Sequence, residues 1–296
     1  LSLRNVDNAA YPLTIDYLCN HRQVVDVLHE VSDAPVVLGG SGFSILPRAY
    51  MQELDGDWGI VGEGERSFVE LLDALSKGLD PTGIAGVVAP AHNTLGLPAA
   101  PLQPQRPEHW AQGLWPAPSL FDYARYVRRG GTGNVQTKRG CVFKCSYCTY
   151  PLLEGNRFRV RDAVDVVDEV EALQTDYGPH PIFFVDSILN FPHGHVESIC
   201  EEILRRGLRI RWSCYATPLK LDRHQAQLMA KAGCEGIELG IDAVDDEQLA
   251  RLGKSFNVEV AELANRYCME AGLSVCQTII FGAPGETEAS VRATCS

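Results

Sequence analysis

The chain has 296 residues, 45% of them hydrophobic and 22% charged, enough for two domains with substantial cores. Its net charge of −12 argues against a nucleic-acid partner, and no apolar run is long enough to span a bilayer. The ten cysteines fit a reduced, cytoplasmic protein better than a disulfide scaffold.

The first third alternates short apolar runs with helical stripes. Ser2 to Arg4 reads as the end of a buried strand. Residues 15–31 carry apolar positions at helical spacing, among them Leu18, Val24, Val25, Leu28 and Val31. Residues 34–40 read as a buried strand ending in the Gly39-Gly40 turn, 48–54 as a helix and 58–61 as a third strand. The stretch Gly62-Glu-Gly-Glu65 then leads into a helix over about 67–75. This alternation predicts a doubly wound parallel sheet, with ligands beyond the C-terminal strand ends. Residues 81–133 read as a connection between domains. It has a short strand at 86–89 and a Pro- and Ala-rich stretch over 98–118 that includes Trp110 and Trp115.

A second alternation starts at Asn134. Strands are expected at 134–137, 182–185, 208–214, 236–241 and 274–281. Helices follow them from Asp162, around Val196 to Leu204, over 222–232, over 245–252 with 259–271, and after Glu286. The first of these helices has Val164, Val167, Val170 and Leu173 as its expected inner stripe. Five βα units in succession predict a parallel barrel or partial barrel. In the fourth strand, period two puts Glu238, Gly240 and Asp242 on one face and Ile237, Leu239 and Ile241 on the other. Acids among glycines on an inner face imply a polar lumen.

Between the first strand and first helix of this second set lie Cys141, Cys145 and Cys148, in a C-x3-C-x2-C spacing. Three thiolates can hold three corners of a four-iron, four-sulfur cluster and leave the fourth open. Structural zinc is the competing reading. It asks for four ligands, usually in two pairs, and no second C-x2-C pair exists in the chain. Lys138, Arg139 and Lys144 crowd the loop, either as solvated cations or as charges favouring a reduced cluster. His193 and His195 follow the second strand, where a structural role is the plainer reading.

The cysteine spacing, Tyr147 before the last cysteine, and the loop 282–286 after the fifth strand resemble the radical S-adenosylmethionine (SAM) superfamily. Ser2, Gly39-Gly40 and Gly62 at successive strand ends resemble the cobalamin-binding domain that precedes many of its barrels. The resemblance implies residues 1–80 as the C-terminal part of that domain and 134–296 as a radical SAM barrel lacking its sixth unit, in a chain that reads as an internal piece of a longer protein.

The resemblance also implies roles. Cys141, Cys145 and Cys148 would hold a [4Fe-4S] cluster. Tyr147, Asp186, Ser187, Asp242, Ile280 and Gly282 would contact SAM, and Ser2, Gly39, Gly40 and Gly62 would contact cobalamin. Asp242 stands in Gly240-Ile-Asp-Ala243 where the family's G-I-E-S motif has a longer acid. Glu238 has no counterpart in the motif and reads as a substrate ligand or proton acceptor. The implied activity is methyl transfer to a carbon or phosphorus centre of a small molecule, lipid or peptide, with flavodoxin or ferredoxin as electron donor. Cyclisation or rearrangement, and a non-catalytic cobalamin or redox sensor, are the alternatives.

Overall fold

The computed structural model describes residues 1–7, 15–89, 104, 106 and 116–295. Trp110, Trp115 and most of the Pro- and Ala-rich stretch lie outside them. The chain forms two compact units, one of Leu1–Pro107 with Leu152–Glu154, the other of Glu108–Pro151 with Gly155–Ser296. Among the described residues no helix is long and apolar enough to cross a membrane.

In the first unit, α1 (Leu18–Val31), β1 (Val37–Leu38), α2 (Ser41–Ile45), α3 (Pro47–Glu53), β2 (Trp58–Ile60), α4 (Gly64–Ser76) and β3 (Val87–Val88) follow in order. β1 and β2 are parallel. Ser2 extends them as a parallel bridge to Gly39. β3 pairs antiparallel to β2, so the sheet is not parallel throughout. Leu3, Leu38, Phe43 and Leu54 are fully buried and form the core. The stripe of α1 is narrower than its sequence implies: Val25 is buried, but Val24 and Val31 are exposed.

The second unit begins with α5 (Tyr123–Arg128) and β4 (Gly133–Val135). β5 (Lys138–Arg139), α6 (Tyr150–Glu154), β6 (Arg159–Val160) and α7 (Ala163–Tyr177) follow. Then come β7 (Ile182–Phe184), α8 (His195–Arg206), β8 (Trp212–Ala216), α9 (Arg223–Lys231) and β9 (Cys234–Asp242). α10 (Asp246–Arg251), α11 (Val258–Glu270), β10 (Ser274–Ile279) and α12 (Glu288–Cys295) complete it. Five strands form one sheet in the order β10-β9-β8-β7-β4, every neighbouring pair parallel. This is the expected mixed α/β architecture with a parallel sheet.

The helices cover one face of that sheet. Val167 and Val170 of α7, Ile199 and Ile203 of α8, Met229 of α9 and Cys268 of α11 share one core with the strands. Val164 is exposed instead, and Val166 takes its place in the buried stripe. Trp212 is buried edge-on against Phe184, ring centroids 5.2 Å apart, and its indole N–H donates to the Ala232 carbonyl at 2.9 Å. Truncating so large a buried ring typically costs about 3–5 kcal/mol. β8 starts four residues later than the apolar run suggests. Gly233 shows why the turn before β9 is tight: it has φ +93°, and a Cβ there would lie 2.0 Å from the Ile210 carbonyl.

Candidate active site

The loop bearing the three cysteines is closed at its base by β5 and β6, which pair antiparallel. Gly140 follows β5 at φ +89°, where a Cβ would fall 1.9 Å from the Arg157 carbonyl oxygen. Only glycine fits so close to backbone in the left-handed region. Cys141 N–H donates to the Gly155 carbonyl at 3.0 Å. The far side of the loop is held by Ser146 N–H, which donates to the Leu252 carbonyl at 2.9 Å.

Cys141, Cys145 and Cys148 are all free thiols and line one cavity of about 230 Å³ at the C-terminal strand ends. Burial pushes the Cys141 and Cys145 thiols up, so binding iron has to displace their protons. Among the described residues, no group of three or more Cys, His, Asp or Glu side chains can hold a single metal ion.

Ser187 and Glu238 line the same cavity as the cysteines. Period two holds along β9: Ile237, Leu239 and Ile241 are buried in the core, while Glu238 and Gly240 face the cavity. The pattern breaks at Asp242, a non-glycine residue at φ +69°. The register with β10 also shifts there. Backbone in this region costs about 1–3 kcal/mol and is found where the surroundings impose it.

The surroundings of Asp242 are Tyr147, whose hydroxyl donates to its carboxylate, and Lys254, whose ammonium pairs with it. Lys254 also donates to the Tyr147 hydroxyl oxygen at 3.1 Å and to the Gly240 carbonyl at 3.0 Å. Burial, then the Asp242 hydrogen bond, raises the Tyr147 phenol above its ordinary value, so it stays a donor. Sequence reasoning missed Lys254. Its signal was position alone, in the turn after α10. Tyr215, Ala216 and Thr217 also line the cavity, although that segment carries no recognisable motif.

Asp186 differs from expectation. It is 1% exposed, and its oxygens accept from Thr137 N–H at 2.8 Å, Lys138 N–H at 3.1 Å, Lys138 Nζ at 3.2 Å and the Thr137 hydroxyl. A carboxylate so fully used by the protein anchors the start of the cysteine loop and leaves little for SAM. Lys138 is likewise no loop cation: it is 1% exposed, and burial pulls its pKa down while Asp186 partly offsets this. His195 Nε2 lies 2.7 Å from the same Thr137 hydroxyl. Because that hydroxyl donates to Asp186, the Nε2–H of a neutral His195 donates to it.

Ile280 and Gly282 sit past the end of β10. Ile280 N–H donates to the Asp242 carbonyl at 2.9 Å, and Gly282 N–H donates to Glu286 Oε2 at 2.5 Å. Neither lines the cavity described above.

In the first unit, the four predicted cobalamin residues lie at the C-terminal ends of neighbouring strands. Gly62 N–H donates to Ser44 Oγ at 2.9 Å, and Ser44 Oγ–H donates to the Gly40 carbonyl at 2.7 Å. Ser2 is exposed, and Gly39 has room for a Cβ, its nearest neighbour being 3.6 Å away. Gly40 and Gly62 are different. A Cβ at Gly40 would fall 2.7 Å from the Leu3 carbonyl, and one at Gly62 2.4 Å from Pro104 Cβ. The space these two glycines open is filled by the chain itself.

A parallel half-barrel whose first loop presents three thiols at the C-terminal strand ends defines an iron–sulfur enzyme class. The chain belongs to the radical SAM superfamily, whose family model matches residues 135–296. It is 29% identical over 351 residues to a tryptophan 2-C-methyltransferase of Streptomyces laurentii, covering 99% of this chain and 58% of that protein. The radical S-adenosylmethionine methyltransferase TsrM from Kitasatospora setae, solved with tryptophan substrate and the SAM analogue aza-SAM, matches with TM-score 0.88 and 32% identity. The same enzyme solved with cobalamin and a [4Fe-4S] cluster matches with TM-score 0.85 and 31% identity. Both cover 99% of this chain and 58% of that one, so the chain spans little more than half the length of these relatives.

Proposed function

We propose that this chain is the cofactor-binding core of a cobalamin-dependent radical SAM methyltransferase acting on a carbon or phosphorus centre. The observation that carries the reading is the convergence of Cys141, Cys145 and Cys148 on one cavity, in a chain similar over nearly all its length to such methyltransferases. Bound together, the cluster and SAM supply one-electron chemistry and cobalamin a methyl carrier.

In this reading the three cysteines hold the cluster, Ser187 and Tyr147 border it, and Asp242 receives the SAM ribose. Ile280 and Gly282 supply backbone and an apolar side chain to the adenine. Asp186 acts through the loop that it anchors. Ser2 and Gly39 face cobalamin, on an edge shaped by Gly40 and Gly62. A flavodoxin or ferredoxin delivers the electron.

The test uses the full-length protein, reconstituted anaerobically with iron, sulfide and cobalamin. About four irons and four sulfides per chain are expected, and alanine at any one of the three cysteines should remove them. With SAM carrying a trideuteromethyl group, that label should pass to cobalamin. Absence of cobalamin absorbance after reconstitution, or zinc in place of iron, sinks the reading.

A further inference from the structure

A second cavity, of about 380 Å³, shares no residue with the one that holds the thiols. Its apolar lining is Pro218 and Leu221 from the loop after β8, and Val260, Leu263 and Tyr267 from α11. His193, Lys220 and Asp222 supply the polar part. Most of the charge around it is committed. Asp222 caps α9, accepting from Gln225 N–H at 2.8 Å. Arg223 pairs with Glu270 and lies over the Tyr267 ring, 5.0 Å from its centroid. Glu197 faces His193 Nδ1 at 3.5 Å. Lys220 differs: it is exposed, and among the described residues its ammonium has no hydrogen-bond or ion-pair partner. Its backbone stands at φ +59°, a region that lysine seldom adopts and that recurs at ligand sites, where the surroundings impose it.

A buried chain of hydrogen bonds joins this cavity to the first. Gln225, 2% exposed, is held from the second cavity twice: its N–H by Asp222, and its Nε2, donating at 2.9 Å, by the Glu197 oxygen that faces His193. On the other side Gln225 Oε1 accepts from Asn190 Nδ2 at 3.3 Å. Asn190, also 2% exposed, brackets the Thr217 backbone: Nδ2 donates to its carbonyl and Oδ1 accepts from its N–H, both at 2.9 Å. Thr217 lines the cysteine cavity. Polar side chains buried in a connected network move together, because breaking one bond strands the next.

We infer that this second cavity is a ligand site of its own, that it takes a carboxylate carried on an apolar body, and that its occupancy is felt at Thr217. The carboxylate meets the one uncommitted charge, Lys220. The body covers Leu221, Val260 and Leu263, as in ligand sites where a mostly apolar pocket carries a few polar groups. The site lies apart from the thiols and stands whichever group the enzyme methylates.

The experiment uses cluster-loaded full-length protein as wild type, Lys220→Met and Leu263→Glu, with octanoate and octylamine as probes and equilibrium dialysis as the readout. Octanoate should bind wild type, bind Lys220→Met about five-fold more weakly, the upper end for an exposed ion pair, and not bind Leu263→Glu measurably. Octylamine should bind wild type more weakly than octanoate. SAM titrated into wild type should show an affinity about five-fold different with and without saturating octanoate, and the difference should vanish in Leu263→Glu. No octanoate binding to wild type overturns the site. So does equal binding to wild type and Lys220→Met, which marks adsorption to apolar surface; this exposed variant decides the matter even if Leu263→Glu does not fold. Octylamine binding as tightly as octanoate overturns the choice of an anion, and SAM affinity indifferent to octanoate overturns the coupling.

Discussion

Lys254 and Asp242 form an ion pair whose side chains are only 8% and 5% exposed, and the Tyr147 hydroxyl bonds to both. This pair, at the end of β9, holds a strained backbone and an aromatic residue of the cysteine loop in one arrangement. A Lys254→Met change removes the cation and leaves Asp242 charged without its partner. Breaking a buried pair in this way costs about 3–5 kcal/mol. The double variant Lys254→Met with Asp242→Asn should recover part of that loss, and urea unfolding of the four proteins in the cycle measures it. Equal stability of the single variant and wild type would show that the pair contributes nothing.

Asp242→Ala should weaken SAM binding by about 1.5–3 kcal/mol, the value of a hydrogen bond to a charged group. Tyr147→Phe, which keeps the ring and removes the hydroxyl that donates to Asp242, should have a smaller effect. Titration of SAM into the two variants decides it. Wild-type affinity in Asp242→Ala would take this residue out of the cofactor site.

Gly40→Ala tests whether the double glycine serves the cofactor or the fold. The new Cβ would meet Leu3 and Ser2 backbone and side-chain atoms at 2.7–2.9 Å from a left-handed backbone. The expected outcome is destabilisation of the first unit by about 1–3 kcal/mol, read as faster proteolysis of that unit with or without cobalamin. Normal proteolysis combined with lost cobalamin absorbance would give Gly40 to the cofactor instead.

His195 makes acid stability informative. Burial, then the nearby Lys138 charge, pulls its pKa down to about 4 from the ordinary 6.5. The unfolded chain therefore takes up a proton between about pH 6.5 and 4 that the folded chain refuses. Stability should be complete above that window and fall as pH drops through it, by up to about 3 kcal/mol in total. His195→Gln should flatten the dependence in urea melts between pH 4.5 and 7.5. An unchanged slope would assign the acid loss to other groups.

Local pattern carried much of this structure. The cysteine spacing, the alternation of β9 as far as Ile241 and the helices α8 and α9 are each written in a few consecutive residues, and the structure follows them. Tyr147, Ser187 and Glu238 were legible because strand ends and motif positions mark them. Lys254 was not. Its partner is defined only once Asp242 adopts φ +69°, which no periodicity announces. Asp186 shows the reverse case: its place at a strand end was legible, but its partners Thr137 and Lys138 come from far back in the chain, at separations of 49 and 48 residues. Gly40 was legible as a strand-end glycine, but what approaches it closely is not written locally. The answer, Leu3, depends on a parallel bridge between segments that local reading treats separately.

The turn after α10 has a consequence for variation. Gly253 stands at φ +73°, where a Cβ would fall 2.6 Å from the Lys144 carbonyl, one residue before Lys254 and one before Cys145. The loop that carries the thiols and the loop that carries the lysine are thus cast as one piece. Neither can be lengthened, shortened or exchanged for a homologous loop by itself. A graft that moves one must bring the other, and a library that randomises 142–149 against a fixed 252–256 will return mostly proteins with a mis-set cavity mouth.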